Sequence, residues 1–321
     1  MNRVAVVIPM FNESRHIGRT LTALREAARE AGLECQVIVV DNGSSDDSPR
    51  IARALGAQVL SLPGLSIGAL RNRGAAACES EWLAFLDADI EVPDSWLKRL
   101  LALHDEDRAD IFALDCDTPH QAPWFAAAWQ RRTLRAGALL QAQQWLPSPN
   151  LLMPRYWFDN VDGFNESLRS GEDKDFTLRL HEAGARLAVL RDPVVLHWGY
   201  EVSWKEWLGK EMWRQGSHLQ LLRSHGASLR LLRFPALSLG AWGLDAMALS
   251  ALLDGFPHLS LLLVLIASLP ALALSLRQSL KHRDLRLIIQ LWGLHFIRLH
   301  LAGMAFVLSL FNLNARRPAR G

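Results

Sequence analysis

Two carboxylates one residue apart, Asp87 and Asp89, close the run WLAFLDADI from Trp82 to Ile90. An apolar strand that carries such a pair to its carboxyl end places two acids where open α/β sheets bind ligands. Two carboxylates there suit a hard divalent cation, and the cation in turn suits a diphosphate. On its own the pattern is more often a turn or a helix N-cap. Its meaning therefore rests on what else the chain brings to the same edge.

Other residues have matching chemistry. The run VAVVIPM ends in Pro9-Met10-Phe11-Asn12-Glu13, and the run CQVIVV ends in Asp41-Asn42-Gly43-Ser44-Ser45-Asp46. A carboxylate at a strand end accepts from a ribose hydroxyl or a base N–H, and Asp41 is the best placed to do so; a turn followed by an N-cap is the plainer alternative. Arg71-Asn72-Arg73-Gly74 stands near the start of a helix that leads into the acidic run. Its first arginine suits a phosphate oxygen, and a solvated or salt-bridged helix face suits it equally. Gly171-Glu172-Asp173-Lys174-Asp175 opens a helical run. Acids in a first turn are ordinarily caps and dipole partners, but one aimed into a cleft is a general base for an attacking hydroxyl. His197, in LHWG, suits a metal or a diphosphate, or simple packing beside Trp198.

The elements that must position these groups follow from periodicity. Val4–Met10, the run from Cys35 to Asp41, and AQVLSL read as buried strands. Residues 17–31, 49–55 and 67–77 read as helices, the first stopped by Gly32. WLAFLDADI reads as the next strand. Strand and helix alternating at this pace predict a mixed, mostly parallel sheet with helices on both faces. No glycine lies between Met1 and Ile17, and GxxxxGK[ST] is absent, so neither a dinucleotide fingerprint nor a P-loop holds the diphosphate. A metal on the acidic pair is the natural substitute.

A chain of 321 residues with net charge +2 has ample core and no global field suited to nucleic acid. Its three cysteines, Cys35, Cys78 and Cys116, lack metal or redox spacing. The N-terminal apolar run is too short for a signal peptide and reads as a strand. From Trp204 the character changes. WKEWLGKEMWRQG, and then Leu219 to Phe234 with Arg223, Arg230 and Arg233, suit interfacial amphipathic helices, a solvated linker helix being the alternative.

Pro235 to Leu276 is apolar apart from Asp245 and Asp254. Asp254-Gly255 splits it, and Leu259 to Leu276 is uncharged and of bilayer-spanning length. A third apolar stretch, Leu287 to Phe311, contains His295, Arg298 and His300. An arginine at the centre of a span costs about 2.5–3.5 kcal/mol on insertion scales, so Arg298 must face a bundle or headgroups. Basic residues between the second and third stretches, and Arg316, Arg317 and Arg320 at the end, are both cytoplasmic by the positive-inside rule. Three full spans cannot satisfy that rule, so either the third stretch is interfacial or re-entrant or the short tail is tolerated outside, which leaves two spans or three. The expected organisation is a catalytic domain over residues 1–203, amphipathic helices over 204–233 and a membrane region over 234–321.

In order, VVIPMFNE, VDNGSSDD, RNRG, FLDADI, GEDKDF and HWG resemble the family 2 glycosyltransferases of GT-A fold, over roughly residues 1–200. The resemblance implies that Pro9, Asn12, Glu13 and Asp41 line a nucleoside pocket and that Arg71 lies near the nucleotide. It further implies Asp87 near the ribose, Asp89 on Mg2+ or Mn2+ bridging a diphosphate, and His197 beside that metal. Asp173 is the implied base, with Glu172 its neighbour or alternate. Phe11 stands where the family commonly has Tyr, and Asn42 where it commonly has Asp; the second change removes an acid. The QxxRW motif of processive synthases is missing, since Trp213-Arg214-Gln215-Gly216 matches it only superficially. The implied activity is a single, inverting sugar transfer from a nucleotide sugar, most often a UDP-sugar, to a hydroxyl. The membrane segments add a lipid-linked or membrane-bound acceptor and a place at the cell membrane with the catalytic domain in the cytoplasm. A sugar nucleotidyltransferase would need a glycine-rich loop after the first strand, and a non-catalytic membrane scaffold would not need Asp41, Asp89 and Asp173 together.

Overall fold

The structure is a computed structural model and describes residues 4–168, 171–215 and 229–310. Close contacts divide the chain into two units, Met1–Pro119 with Leu134–Gly199, and His120–Thr133 with Tyr200–Gly321. The first unit closes at Gly199 rather than at residue 203. The short segment 120–133, although encoded between two strands of the first unit, is part of the second.

The first unit is built on nine strands: β1 (Val4–Met10), β2 (Cys35–Asp41), β3 (Gln58–Ser61), β4 (Trp82–Leu86), β5 (Ile90–Glu91), β6 (Ile111–Asp117), β7 (Leu140–Gln143), β8 (Asn150–Pro154) and β9 (Leu187–His197). The sheet order is β3-β2-β1-β4-β8-β6-β9-β5, with β7 also on β9. Strands β1, β2, β3, β4, β6 and β9 run one way, and β5, β7 and β8 the other. The mixed, mostly parallel sheet is therefore as expected. β1 and β4 are buried throughout and read as unbroken apolar runs, because both faces are covered. Pro9 tolerates its central strand because β1 pairs with β4 only through Val7, leaving the proline beyond that ladder.

Helices α1 (Ile17–Ala31), α2 (Ser48–Ala54), α3 (Ile67–Ala76), α4 (Trp96–Asp105), α6 (Arg155–Asn160) and α7 (Glu172–Glu182) cover the sheet, and α5 belongs to the second unit. Gly32, at φ 64°, ends α1 in the left-handed conformation the sequence predicts. Gly74 brings α3 hard onto the sheet: a Cβ there would stand 2.3 Å from Val7 Cγ1. One expectation fails. WLAFLDADI is not a single strand. β4 stops at Leu86, residues 87–89 turn, and Ile90 begins β5, which pairs with the end of β9. Asp87 N–H still meets Pro149 O at 3.0 Å in the β4–β8 register, and the turn takes over after it, closed by Ile90 N–H donating to Asp87 O at 3.2 Å.

The second unit holds α5 (Trp124–Arg131), α8 (Trp204–Gln215), α9 (Leu229–Leu253), α10 (Pro257–Ser279) and α11 (Leu285–Leu310). Among the described residues three helical stretches, residues 234–253, 257–282 and 285–308, are long and apolar enough to cross a membrane. Gly255, at φ 82°, makes the expected break between the first two. Arg298 faces the bundle, its Nε 3.5 Å from Glu211 Oε2, and Trp129 Nε1–H donates to the same carboxylate at 3.2 Å. His300 Nε2 lies 2.5 Å from Asp245 Oδ2. The expected amphipathic segment from Leu219 lies outside the described residues up to residue 228, and Leu229 onward is continuous with α9. The basic tail at Arg316, Arg317 and Arg320 also lies outside them.

Candidate active site

The parallel strands deliver their carboxyl ends to one edge. The loops after β1 and β2 are stitched together there. Asn12 sits at φ 53°, a left-handed conformation that Asn tolerates better than most residues. Its N–H donates to Ser44 Oγ at 2.8 Å, and its Oδ1 accepts from Ser45 N at 2.8 Å. Glu13, buried, has its N–H on Ser48 Oγ at 2.7 Å. Asp41, also buried, accepts from Ser44 N with both carboxylate oxygens at 3.2 Å. Asn42, where an acid is common in the family, exchanges two hydrogen bonds with the Leu65 backbone, at 3.1 and 3.2 Å. An amide supplies both a donor and an acceptor there, and a carboxylate would not. Asn12, Glu13 and Asp41 are thus tied to one another through the loop after β2, with Pro9 next to last in β1.

The acidic turn is held from three sides. Besides Pro149, Thr20 Oγ1 on α1 donates to Ala88 O at 2.9 Å, and Trp198 N–H donates to Asp89 O at 2.8 Å. β5 opposes Ile90 to His197, which sets Asp89 beside that histidine: Asp89 Oδ2 and His197 Nε2 are 3.3 Å apart. Burial works to raise the Asp89 carboxyl, and the His197 imidazole together with His16 outweighs it, holding the group below the usual carboxylate range. For Asp87, burial dominates and raises the carboxyl against the pull of Arg71.

Among the described residues no three His, Cys, Asp or Glu side chains converge as a metal cage. Asp89 and His197 supply two candidate ligands, which suits a cation such as Mg2+ or Mn2+ that completes its shell with water and phosphate oxygens. The space for this is kept by Gly199. A Cβ at that position would fall 2.0 Å from Asp89 Oδ2 and 3.1 Å from His197 Nε2. The residues present are therefore compatible with such a cation, which Asp89 and His197 would hold.

Arg71 stands between the acidic turn and the start of α7. It is 1% exposed, with Nη1 2.9 Å from Glu172 Oε1 and Nη2 2.9 Å from Asp87 Oδ1. Both outer nitrogens serve carboxylates, so the side chain is a clamp between the acidic turn and the start of α7. The rest of its motif serves the same join. Asn72 exchanges hydrogen bonds with the Phe164 backbone at 2.8 and 2.9 Å, and Arg73 reaches Glu166 at 3.0 Å. Gly171, at φ 76°, caps α7 in a conformation that suits glycine. Glu172 is thereby committed to Arg71, whereas Asp173 is contacted through Lys174 N–H at 2.7 Å and is half-buried. Burial first, and the Glu172 charge second, push the Asp173 carboxyl above its ordinary value.

Two contributors were missed in the sequence. Gly199 lay in plain view in the HWG motif, but a glycine's lack of a Cβ acquires meaning only from its spatial neighbours. His16, at the start of α1, lies within the field of Asp89 and His197, and its own basicity is lowered chiefly by burial. Its position just after Glu13 was the available signal.

Residues 5–167 match the family model for glycosyl transferase family 2. The chain belongs to glycosyltransferase family 2, and its mixed, mostly parallel sheet is of the GT-A type. It is 30% identical over 255 residues to a pre-mycofactocin glycosyltransferase of Mycobacterium tuberculosis, covering 74% of this chain and 52% of that one. The chain thus spans about half the length of that relative. It is 31% identical over 107 residues to an undecaprenyl-phosphate 4-deoxy-4-formamido-L-arabinose transferase of Pseudomonas fluorescens, covering 31% of each. The structure of Staphylococcus aureus TarS 1–349 in complex with UDP shares the fold, with TM-score 0.51, 19% identity, and coverage of 98% of this chain and 93% of that one.

Proposed function

We propose that the protein is an inverting, non-processive glycosyltransferase that moves one sugar from a UDP-sugar to a hydroxyl of a lipid-linked or membrane-bound acceptor. The observation that carries this reading is the Arg71 clamp. It ties Asp87, at the donor edge, to Glu172, the neighbour of Asp173, and so fixes donor side and base in one frame. Preorganisation of this kind is what a displacement between two bound substrates needs.

The nucleoside occupies the corner of Pro9, Asn12, Glu13 and Asp41, with Asp87 toward the ribose. Asp89 and His197 would hold a divalent cation, which would supply Lewis-acid stabilisation of the leaving diphosphate. Asp173 accepts the proton of the acceptor hydroxyl while that oxygen forms its bond to the anomeric carbon. The bond from the anomeric carbon to the diphosphate oxygen breaks on the opposite face, and the nucleoside diphosphate leaves with that electron pair. Glu172 and Arg71 position this machinery without touching the reacting atoms. The raised basicity of Asp173 favours its work as a base near neutral pH. The three apolar helices and the lipid-phosphate substrate named for the Pseudomonas relative support a membrane acceptor. The UDP of the TarS complex supports the choice of nucleotide. By the positive-inside rule the catalytic unit faces the cytoplasm.

The test is thermal stabilisation and donor hydrolysis with a panel of UDP-, GDP- and dTDP-sugars, each with Mn2+ and with EDTA. Ligand at about 100 times Kd stabilises the native state by about 2.7 kcal/mol. At least one UDP-sugar should stabilise the protein and be hydrolysed with Mn2+ and not with EDTA. Indifference to every nucleotide sugar in both conditions refutes the reading.

A further inference from the structure

Two hydrogen bonds fix how α11 runs past α10. Ser275 Oγ donates to Ile288 O at 2.5 Å, and His295 Nε2 lies 2.9 Å from Gln278 Oε1. Moving forward along α11 therefore moves forward along α10. Two membrane spans joined by a short turn run antiparallel, and their contacts progress in opposite directions. His295, well inside α11, still meets the last turn of α10. A helix descending straight from Leu285 would by then lie about 15 Å deeper, at about 1.5 Å per residue. The first half of α11 thus crosses the end of α10 steeply instead of descending beside it.

Its other neighbours are not helices suited to hydrocarbon. α8 lies alongside: Trp207 shares a buried cluster with Leu287, Leu291 and Leu294, and one turn further on Glu211 meets Arg298. α8 also carries Lys205, Glu206 and Lys210. At about 2.5–3.5 kcal/mol for each charge in a bilayer centre, α8 stays out of the hydrocarbon and holds this part of α11 at its own level. α5 brings Trp129 to the same cluster, its ring 5.4 Å from that of Trp207. Trp124 and Trp204, 5.6 Å apart, remain 47% and 37% exposed. Tryptophans gathered in this way suit the boundary between headgroups and acyl chains. The face of α11 opposite the buried cluster carries exposed Leu285 and Ile289, with the exposed Arg286 at its edge. An apolar stripe flanked by a cation is the pattern of a helix lying in that boundary.

We propose that α11 lies in the headgroup layer beside α5 and α8 and does not cross the bilayer, with phospholipid covering its exposed stripe. Among the described residues the chain then crosses twice, through α9 and α10. This placement does not depend on the transferase reading.

The experiment uses the full chain in vesicles of equal parts phosphatidylcholine and phosphatidylglycerol. A p-azidophenylalanine, coupled to a cyclooctyne nitroxide, replaces Phe296, Trp292 or Leu269 one at a time. Leu269, exposed on α10, is the reference for the bilayer centre. Collisions of the nitroxide with oxygen, which concentrates in hydrocarbon, are compared with collisions with a water-soluble nickel chelate. If α11 crosses, position 296 stands about 16 Å below Leu285, near the middle of a core about 30 Å thick. Its oxygen-to-nickel ratio then equals that at Leu269. The expected result is a ratio several-fold lower at 292 and 296 than at Leu269. Position 292 gives the same reading if the label at 296 unfolds the chain. A ratio at either position equal to that at Leu269 overturns the proposal. A ratio at Leu269 as low as theirs also overturns it, because α10 would then not span. Failure of the transferase reading is separate: it shows as absent nucleotide-sugar binding in the parent protein, whatever the depth of these labels.

Discussion

Replacing Gly199 by alanine adds one methyl group to the most crowded point of the site. Its carbon would stand 2.0 Å from Asp89 Oδ2 and 2.9 Å from Asp89 Cγ, where ordinary contact begins at 3.4 Å. The carboxylate must therefore retreat by more than about 1 Å, or β9 must shift and carry His197 with it. A misplacement of about 1 Å costs about 10²-fold in rate when it disturbs reacting groups. Crowding a packed site costs about 1–3 kcal/mol in stability. The assay is calorimetric UDP binding with Mn2+ and with EDTA, together with kcat/KM for donor hydrolysis. In Gly199→Ala, kcat/KM should fall about 10²-fold, and the Mn2+-dependent part of UDP affinity should fall while the part left in EDTA stays. Gly18→Ala is the control, because its added carbon meets nothing closer than 3.6 Å; it should leave both readouts unchanged. If Gly199→Ala binds UDP–Mn2+ as the parent does and keeps kcat/KM within threefold, Asp89 and His197 do not hold the cation.

Two further perturbations separate positioning from contact. Arg71→Met strips the cation from two partly or fully buried carboxylates; breaking a buried pair costs about 3–5 kcal/mol. The partial exposure of Asp87 favours the low end, so the melting temperature should fall by roughly 6–12 °C, at about 2–4 °C per kcal/mol for a unit of this size. An unchanged melting temperature with weaker donor binding would instead make Arg71 a phosphate contact. Asp173 must be deprotonated to act as base, and its carboxyl is raised, so transfer is complete above that raised value and declines as pH falls through it. The acid limb should therefore lie above that of an ordinary aspartate, about 3.9. Glu172→Gln removes one of the causes and should move the limb to lower pH; a limb that stays in place contradicts the assignment.

Much of the donor half was legible in the chain because parallel strands covered on both faces read as continuous apolar runs. β1 and β2 begin and end where periodicity puts them, and α1 is bounded by its glycine. The acids at strand ends followed from that register. WLAFLDADI misled because hydropathy does not register a turn closed by the local backbone bond from Ile90 N–H to Asp87 O. Residues 92–168 yielded no elements: β7 and β8 are only four and five residues long and pair antiparallel, and the apolar run of β6 gives way to Asp115-Cys116-Asp117. The Arg71–Glu172 pair spans 101 positions in sequence and is a product of the fold. Contacts then distinguish Glu172 from Asp173, which the sequence leaves as neighbours: Arg71 engages the first, and the Lys174 N–H meets one oxygen of the second.

The most direct measurement concerns that carboxylate. Asp173→Asn keeps the shape of the side chain and removes its ability to take a proton. The donor that stabilises the parent most is used, radiolabelled in its sugar, with a membrane-lipid extract as acceptor. Donor affinity should stay within about threefold of the parent, while transfer into lipid falls by about 10²–10⁴-fold, the usual contribution of a general base. Transfer kept within tenfold, or donor binding lost together with transfer, would contradict the account.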